Sequence, residues 1–297
     1  MADKLYRSNP FKRRGKNWIV VFLFLGPSLT GFAIFYLIPF AMGFFYSFQD
    51  STLDGSFVGF ENYKELLASG SFRNAAANTF LFTFVSVPLI LVLSLVVALL
   101  LNQKLFIRNW LQTAFVLPLV VPAASVVMIW QILFDWNGSV NAWLQSLHLE
   151  RIDWMKSDWS VGVLAVVYSW KNIGYNIILF LAGLQSIPKD YYETADIEGA
   201  GTFRKTIHIT LVYLTPTMFL VVLMSIINSF KVFRETYLIA GDYPYDRIYM
   251  LQHYMNNMFL SLDIQKLTAA ASLMVGCILI LVTLMLFIER RFRQFID

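Results

Sequence analysis

The chain has 297 residues and a net charge of +4; 58% of it is hydrophobic and only 14% charged. Soluble domains carry about 25% charged residues, so this composition excludes a disordered chain, a coiled coil and a typical cytosolic enzyme. It describes an all-α, multi-pass membrane protein, in which six spans of about 20 residues each leave no room for a large soluble domain.

In chain order, a basic segment over 1–17 carries Lys4, Arg7, Lys12, Arg13, Arg14 and Lys16. The first apolar run extends from Trp18 to Phe40. It is too long for the apolar region of a signal peptide and ends without a small-x-small cleavage site, so it reads as a span. With its following loop it forms a unit over 18–74. Further runs cover Thr79 to Leu101, Trp110 to Phe134, Val161 to Leu184, Ile209 to Val232 and Leu267 to Ile288. Together they form a transmembrane unit over 75–289, followed by a basic tail over 290–297. Pro27, Pro39, Pro88, Pro118, Pro122 and Pro216 fall in or beside these runs. Two readings stand for them: kinks in a machine that opens and closes, or the ordinary abundance of proline in membrane helices.

Short loops with an excess of Lys and Arg face the cytoplasm. The N-terminal segment, Lys104 and Arg108, Lys189, Arg204 and Lys205, and Arg290, Arg291 and Arg293 supply fourteen basic residues, against seven on the alternate loops. Both termini are therefore expected inside.

Enzymatic signatures are absent. Cys277 is the single cysteine, and His148, His208 and His253 are far apart, so no metal-ligand spacing exists and no catalytic residue is assigned. There is no phosphate-binding loop, no His-Glu-x-x-His and no Gly-x-Ser-x-Gly. The net charge is too small to argue for nucleic acid.

The longest cytoplasmic loop, 186–208, carries a helix signature. Ser186 suits a cap, Pro188 the first turn, and Asp190 and Glu193 the positive helix end. Gly199 and Gly201 stop or turn the helix. Glu193 offers an anionic contact, and Ala195, Gly199, Ala200 and Gly201 are small enough for backbones to approach closely.

The fourth run contains Tyr168-Ser-Trp-Lys-Asn-Ile-Gly-Tyr-Asn176. At 100° per residue, Tyr175, Tyr168, Asn172 and Asn176 fall within about 140° of Lys171, and Trp170, Ile173, Gly174 and Ile177 take the other arc. Lys171 is roughly 15 Å into the span, near the bilayer midplane. This arc reads either as a translocation path or as hydrogen-bonded glue between helices. Ser225, Asn228, Lys231 and Glu235 form a second arc near the outer mouth, with Lys231 and Glu235 spaced to pair at i, i+4. That arc suits a gate, a docking surface or a solvated helix end.

Glu193-Thr194-Ala195, three residues, Gly199, nine residues and Ile209-Thr210-Leu211 resemble the EAA loop of binding-protein-dependent ABC importer permeases. Thr194 replaces an Ala, and Val212 replaces the terminal Pro. Phe57-Val-Gly-Phe-Glu-Asn-Tyr63, Phe115-Val-Leu-Pro-Leu-Val-Val-Pro122, Asn228-Ser-Phe-Lys-Val-Phe233 and Leu267-Thr-Ala-Ala-Ala-Ser272 resemble the sugar-importer branch, of maltose type.

The resemblance implies the type I ABC importer transmembrane fold in the cytoplasmic membrane of a prokaryote. It implies a second homologous permease, two cytoplasmic ATPase subunits and an extracytoplasmic sugar-binding protein as partners. The Glu193 loop would dock on an ATPase. ATP and Mg would be used by that partner, with no cofactor bound by this chain. Tyr168, Lys171, Asn172, Tyr175, Asn176, Asn228 and Lys231 are the candidates for the path or the substrate. The alternative is an ion-coupled secondary transporter of a small polar solute, which should carry acids in mid-span and an inverted repeat.

Overall fold

The computed structural model describes residues 22–103 and 106–293. The basic segment 1–17, the start of the first run, Lys104 and residues 294–297 lie outside the described residues. Among those described there is no strand, and one isolated bridge joins Gln49 to Phe57.

Helix α1 (Phe22–Tyr46) contains a π turn over Ala33–Leu37, just before Pro39. Pro39 lacks the N–H that a regular turn would use there, and a π turn absorbs such a gap. Helix α2 (Glu61–Ala68) and the long α3 (Gly70–Leu101) meet at Ser69, whose hydroxyl accepts from the Phe72 amide at 3.4 Å. Helices α4 (Arg108–Val120), α5 (Ala123–Phe134) and α6 (Ser139–Ser146) follow, then α7 (Ser160–Gln185). The short α8 (Lys189–Ile197) and α9 (Thr202–Lys205) lead through a π turn, Thr206–Thr210, into α10 (Leu211–Phe230). The chain closes with α11 (Phe233–Ala240), α12 (Leu251–Leu260) and α13 (Ile264–Arg293).

Five of these stretches are long and apolar enough to cross a membrane: α1, α3, α7, the stretch Thr202–Ala240 and α13. The third apolar run, expected as one span from Trp110 to Phe134, is broken instead. Arg108–Val120 and Ala123–Ser146 are bent by 99°, and counting them as one span gives six. The cause is Pro122, which holds its own φ at −55° and sterically drives the preceding Val121 to ψ 133°, outside the helical region. Pro88, Pro118 and Pro216 sit inside helices that continue past them.

Helix α7 is the central element. It packs along α3, α4 and α10, and Ile177, Phe180, Leu181 and Leu184 from it join Ala98, Leu101, Leu214 and Val221 in one buried cluster. Gly174 permits the close crossing with α4: a Cβ there would strike the Phe115 carbonyl. A second cluster joins Phe82, Leu164 and Tyr168 to Val232 and Ile248; a third joins Leu66, Phe72 and Tyr254 to Ala269 and Ala270. Helix α1 and the C-terminal half of α13 leave much of their apolar surface uncovered, as bilayer-facing helices do.

Candidate functional site

The polar arc of α7 divides into two parts. Tyr168 is buried, and its hydroxyl donates to the Ser225 carbonyl of α10 at 2.7 Å. Asn176 is also buried and donates from Nδ2 to the Ser225 hydroxyl at 3.0 Å. These two side chains fasten α7 to α10, which is the glue reading of the arc. Lys171 and Asn172, together with one side of Tyr168, face a cavity of about 360 Å³. Asn172 also donates to the Tyr168 carbonyl one turn back, at 2.9 Å. Tyr175 is half-buried and lies outside the cavity lining.

The second arc faces the same cavity. Asn228 and Lys231 line it with Phe233, Arg234 and Glu235 of α11 and Gln252 of α12. Depth counted along a helix takes no account of tilt, so Lys171, placed by counting near the midplane, and Asn228, placed near one mouth, share a single chamber.

The expected Lys231–Glu235 pair does not form. Helix α10 ends at Phe230, and Lys231 takes φ −93° and ψ 5°, so the two residues do not belong to one continuous helical surface. Lys231 is exposed at the chamber's edge, whereas Glu235 is 5% exposed and forms an ion pair with Lys171. A charge carried into a span needs a partner, and Glu235 in the first turn of α11 supplies it. That demand was the available signal for Glu235. Phe233, Arg234 and Gln252 carried no comparable signal.

His253 stands on α12 behind the cavity wall. It is fully buried, its Nδ1 accepts from the Met250 amide at 3.2 Å, and its Nε2 has no partner. Its ring packs edge-on against Phe233 with centroids 4.7 Å apart. Burial holds the imidazole well below its usual range, to about 4, against a smaller opposing effect of Asp242.

The loop between α7 and α10 lies apart from this chamber. Pro188, expected in the first turn, occupies the N-cap of α8, and Ser186 ends α7 instead, its hydroxyl donating to the Gly183 carbonyl at 2.7 Å. The end of α8 is closed by two bonds: the Ala200 amide to the Ala195 carbonyl at 2.9 Å and the Gly199 amide to the Asp196 carbonyl at 3.1 Å. Gly199 takes φ +75°, the left-handed conformation that this double closure requires. Gly201 is extended and caps α9. Lys205 pairs with Asp196 at 2.5 Å and holds the two short helices together. Glu193, Thr194 and Gly199 are exposed, and Ala195 and Ala200 are half-buried. Ile197 and Phe203 are 89% and 79% exposed. The loop therefore presents Glu193 among the exposed acids Asp190, Asp196 and Glu198, together with the bare apolar side chains of Ile197 and Phe203, on a two-helix corner.

Among the described residues there is no cluster of His, Cys, Asp and Glu that could hold a metal ion. The arrangement is a polar chamber inside a helical bundle with a protruding, well-closed loop at one end.

Comparison with known proteins agrees with this architecture. The chain is 35% identical over 224 residues to the arabinooligosaccharide transport permease AraP of Bacillus subtilis, covering 73% of this chain and 71% of that protein. It is 32% identical to the trehalose/maltose transport permease MalF of Thermococcus litoralis, over 75% of this chain and 77% of that one. A solved bacterial ABC transporter that imports alginate superposes with a TM-score of 0.82 at 22% identity, over 96% of this chain and 99% of that one. The model of the family of binding-protein-dependent transport system inner membrane components matches residues 90–294, and the chain belongs to that family, with the ABC importer transmembrane fold.

Proposed function

We propose that this chain is one of two permease subunits of an ATP-driven importer, and that its cargo is a sugar or oligosaccharide. The observation that carries this reading is the chamber between α7, α10 and α11, lined by Tyr168, Asn172, Asn228 and Gln252. The side-chain amides of Asn172, Asn228 and Gln252 match the alternating donors and acceptors of sugar hydroxyls, and the half-buried Phe233 ring matches an apolar face of the pyranose. The relatives named for arabinooligosaccharides and for trehalose and maltose support the same cargo class. Lys171, Asn172, Asn228 and Lys231 line the path in this reading, whereas Tyr168 and Asn176 hold its wall. Tyr175 stands outside it.

Energy enters through the loop at Glu193. The chain has no phosphate-binding loop, so ATP and Mg are used by a separate ATPase, one copy under each permease. The corner formed by Glu193, Thr194, Ala195, Gly199, Ala200 and Gly201 docks on it, with Ile197 and Phe203 as apolar contacts. An extracytoplasmic binding protein delivers cargo at the opposite face. Both termini and the Glu193 loop face the cytoplasm of a prokaryotic cell, as the distribution of basic residues indicates.

Uptake of labelled oligosaccharides in cells lacking the chain, and in cells complemented with it, tests the reading. Uptake that returns with the gene, persists with a protonophore and stops when ATP is depleted supports it. Uptake that collapses with the protonophore while ATP is held constant favours an ion-coupled transporter.

A further inference from the structure

Two anchorages meet at the chamber. On one side, α7 is fastened to α10 through Ser225 and packs along α3 and α4. On the other side, α11 is separated from α10 by the turn at Lys231 and Val232 and is fastened elsewhere. Gln131 of α5 donates to the carbonyls of Leu238 and Ile239 at 3.2 Å each, and α11 packs on α5 and α12. Val232 is buried in the same cluster as Tyr168, so the turn is anchored to α7 while the helix beyond it is fastened to α5. Lys171 and Glu235, 64 residues apart in sequence, form an ion pair that ties α11 directly to α7, and both line the chamber.

We propose that Glu235 is a positioning residue of the translocation path: by holding Lys171 it keeps α11 closed over the chamber, and the chamber opens when the pair parts. The inference rests on the reading of the chamber as the path. Both charges are largely withdrawn from water, so parting them is unfavourable unless other polar groups replace the contact. A polyhydroxylated cargo supplies such groups, with hydroxyl protons for the Glu235 carboxylate and hydroxyl oxygens for the Lys171 ammonium. Cargo entering the chamber therefore releases the latch that guards it. A purely structural pair, in contrast, stays closed in every state.

The test uses the assembled transporter in native membranes, with Cys277 replaced by Ser and a reporter thiol introduced as Gln252→Cys in the chamber wall. Labelling by a membrane-impermeant maleimide is timed in the resting state and in the state trapped by a non-hydrolysable ATP analogue. Removing one charge of a buried pair is worth several kcal/mol, so Glu235→Gln is expected to speed resting-state labelling by at least about tenfold. Exchanging the charges (Lys171→Glu with Glu235→Lys) should return the rate toward the parent. Equal rates in the parent and in Glu235→Gln overturn the latch and leave the path standing. A reporter that reacts in no state, in either protein, overturns the reading of the chamber as the path. If Glu235→Gln fails to reach the membrane, the pair Lys171→Cys with Glu235→Cys decides. Bridging the two thiols with a short bifunctional methanethiosulfonate should abolish uptake and reduction should restore it, whereas full uptake in the cross-linked state overturns the latch.

Discussion

The corner at Glu193 and the chamber at Lys171 are built on opposite plans. The corner is local: its helix, its left-handed Gly199, its double closure and its Lys205–Asp196 pair lie within about twenty consecutive residues. It makes its contacts outward, with Ile197 and Phe203 bare. The chamber is non-local: its central pair joins residues 64 positions apart, and its wall comes from α7, α10, α11 and α12. It makes its contacts inward. A local, exposed element tolerates substitution without unfolding and serves a partner; a non-local, buried one couples any substitution to the packing of the bundle. The two regions should therefore fail differently when they are altered.

The largest effect is expected at the corner. Glu193→Lys replaces an attraction with a repulsion at the proposed ATPase contact, and like charges across an interface cost several kcal/mol. Uptake should fall by at least about a hundredfold, with normal amounts of protein in the membrane and little ATPase co-purifying. Uptake at the parental level would show that the corner is only a surface helix. Gly199→Val should act in the same direction through the backbone, because φ +75° opposes a β-branched residue although the space around the glycine is open.

The chamber should respond through stability. Glu235→Leu leaves Lys171 charged and unpaired, and breaking a buried pair costs about 3–5 kcal/mol. Lys171→Met combined with Glu235→Leu removes both charges and should recover most of that loss, read as the midpoint of thermal unfolding in detergent. A double variant no more stable than the single one would mean that the pair does not hold the bundle.

A smaller effect tests the chamber's rear wall. His253 is neutral in the folded state, with its pKa lowered from 6.5 to about 4. Its stabilising contribution is complete above the unfolded value and is lost as pH falls from 6.5 toward 4. The folded state should lose about 1–2 kcal/mol between pH 7 and pH 5 from this group. His253→Gln should flatten that slope; an unchanged slope assigns the acid sensitivity to other groups. Smallest is Asn176→Ala, which removes one bond between helices and should cost about 0.6 kcal/mol. An undiminished stability accompanied by lost uptake would place Asn176 in the path rather than in its wall.

The same contrast governs what could be read in the sequence. The spans were legible because twenty apolar residues in a row have one physical use. The corner was legible because caps, first-turn acids and a C-terminal glycine act within a single turn. Pro188 takes the cap position expected of Ser186, and Ser186 falls to the end of α7, a register step of a kind that sequence patterns do not fix. The break in the third run was visible as Pro122, but proline alone does not separate a kink of an intact helix from a 99° bend. The periodicity of α7 located Lys171 and its polar neighbours without dividing them between wall and chamber, because that division depends on where α10 lies. The i, i+4 spacing points Glu235 toward Lys231 rather than Lys171, because it assumes a continuous helix and α10 ends at Phe230.

The most direct test of the account is reconstitution. The purified chain in proteoliposomes, alone and then with its second permease, ATPase and binding protein, should be assayed for oligosaccharide uptake and ATP hydrolysis. The account predicts no uptake and no hydrolysis by the chain alone, and uptake by the full assembly that needs both ATP and the binding protein. Robust uptake by the chain alone, driven by an ion gradient, would contradict it.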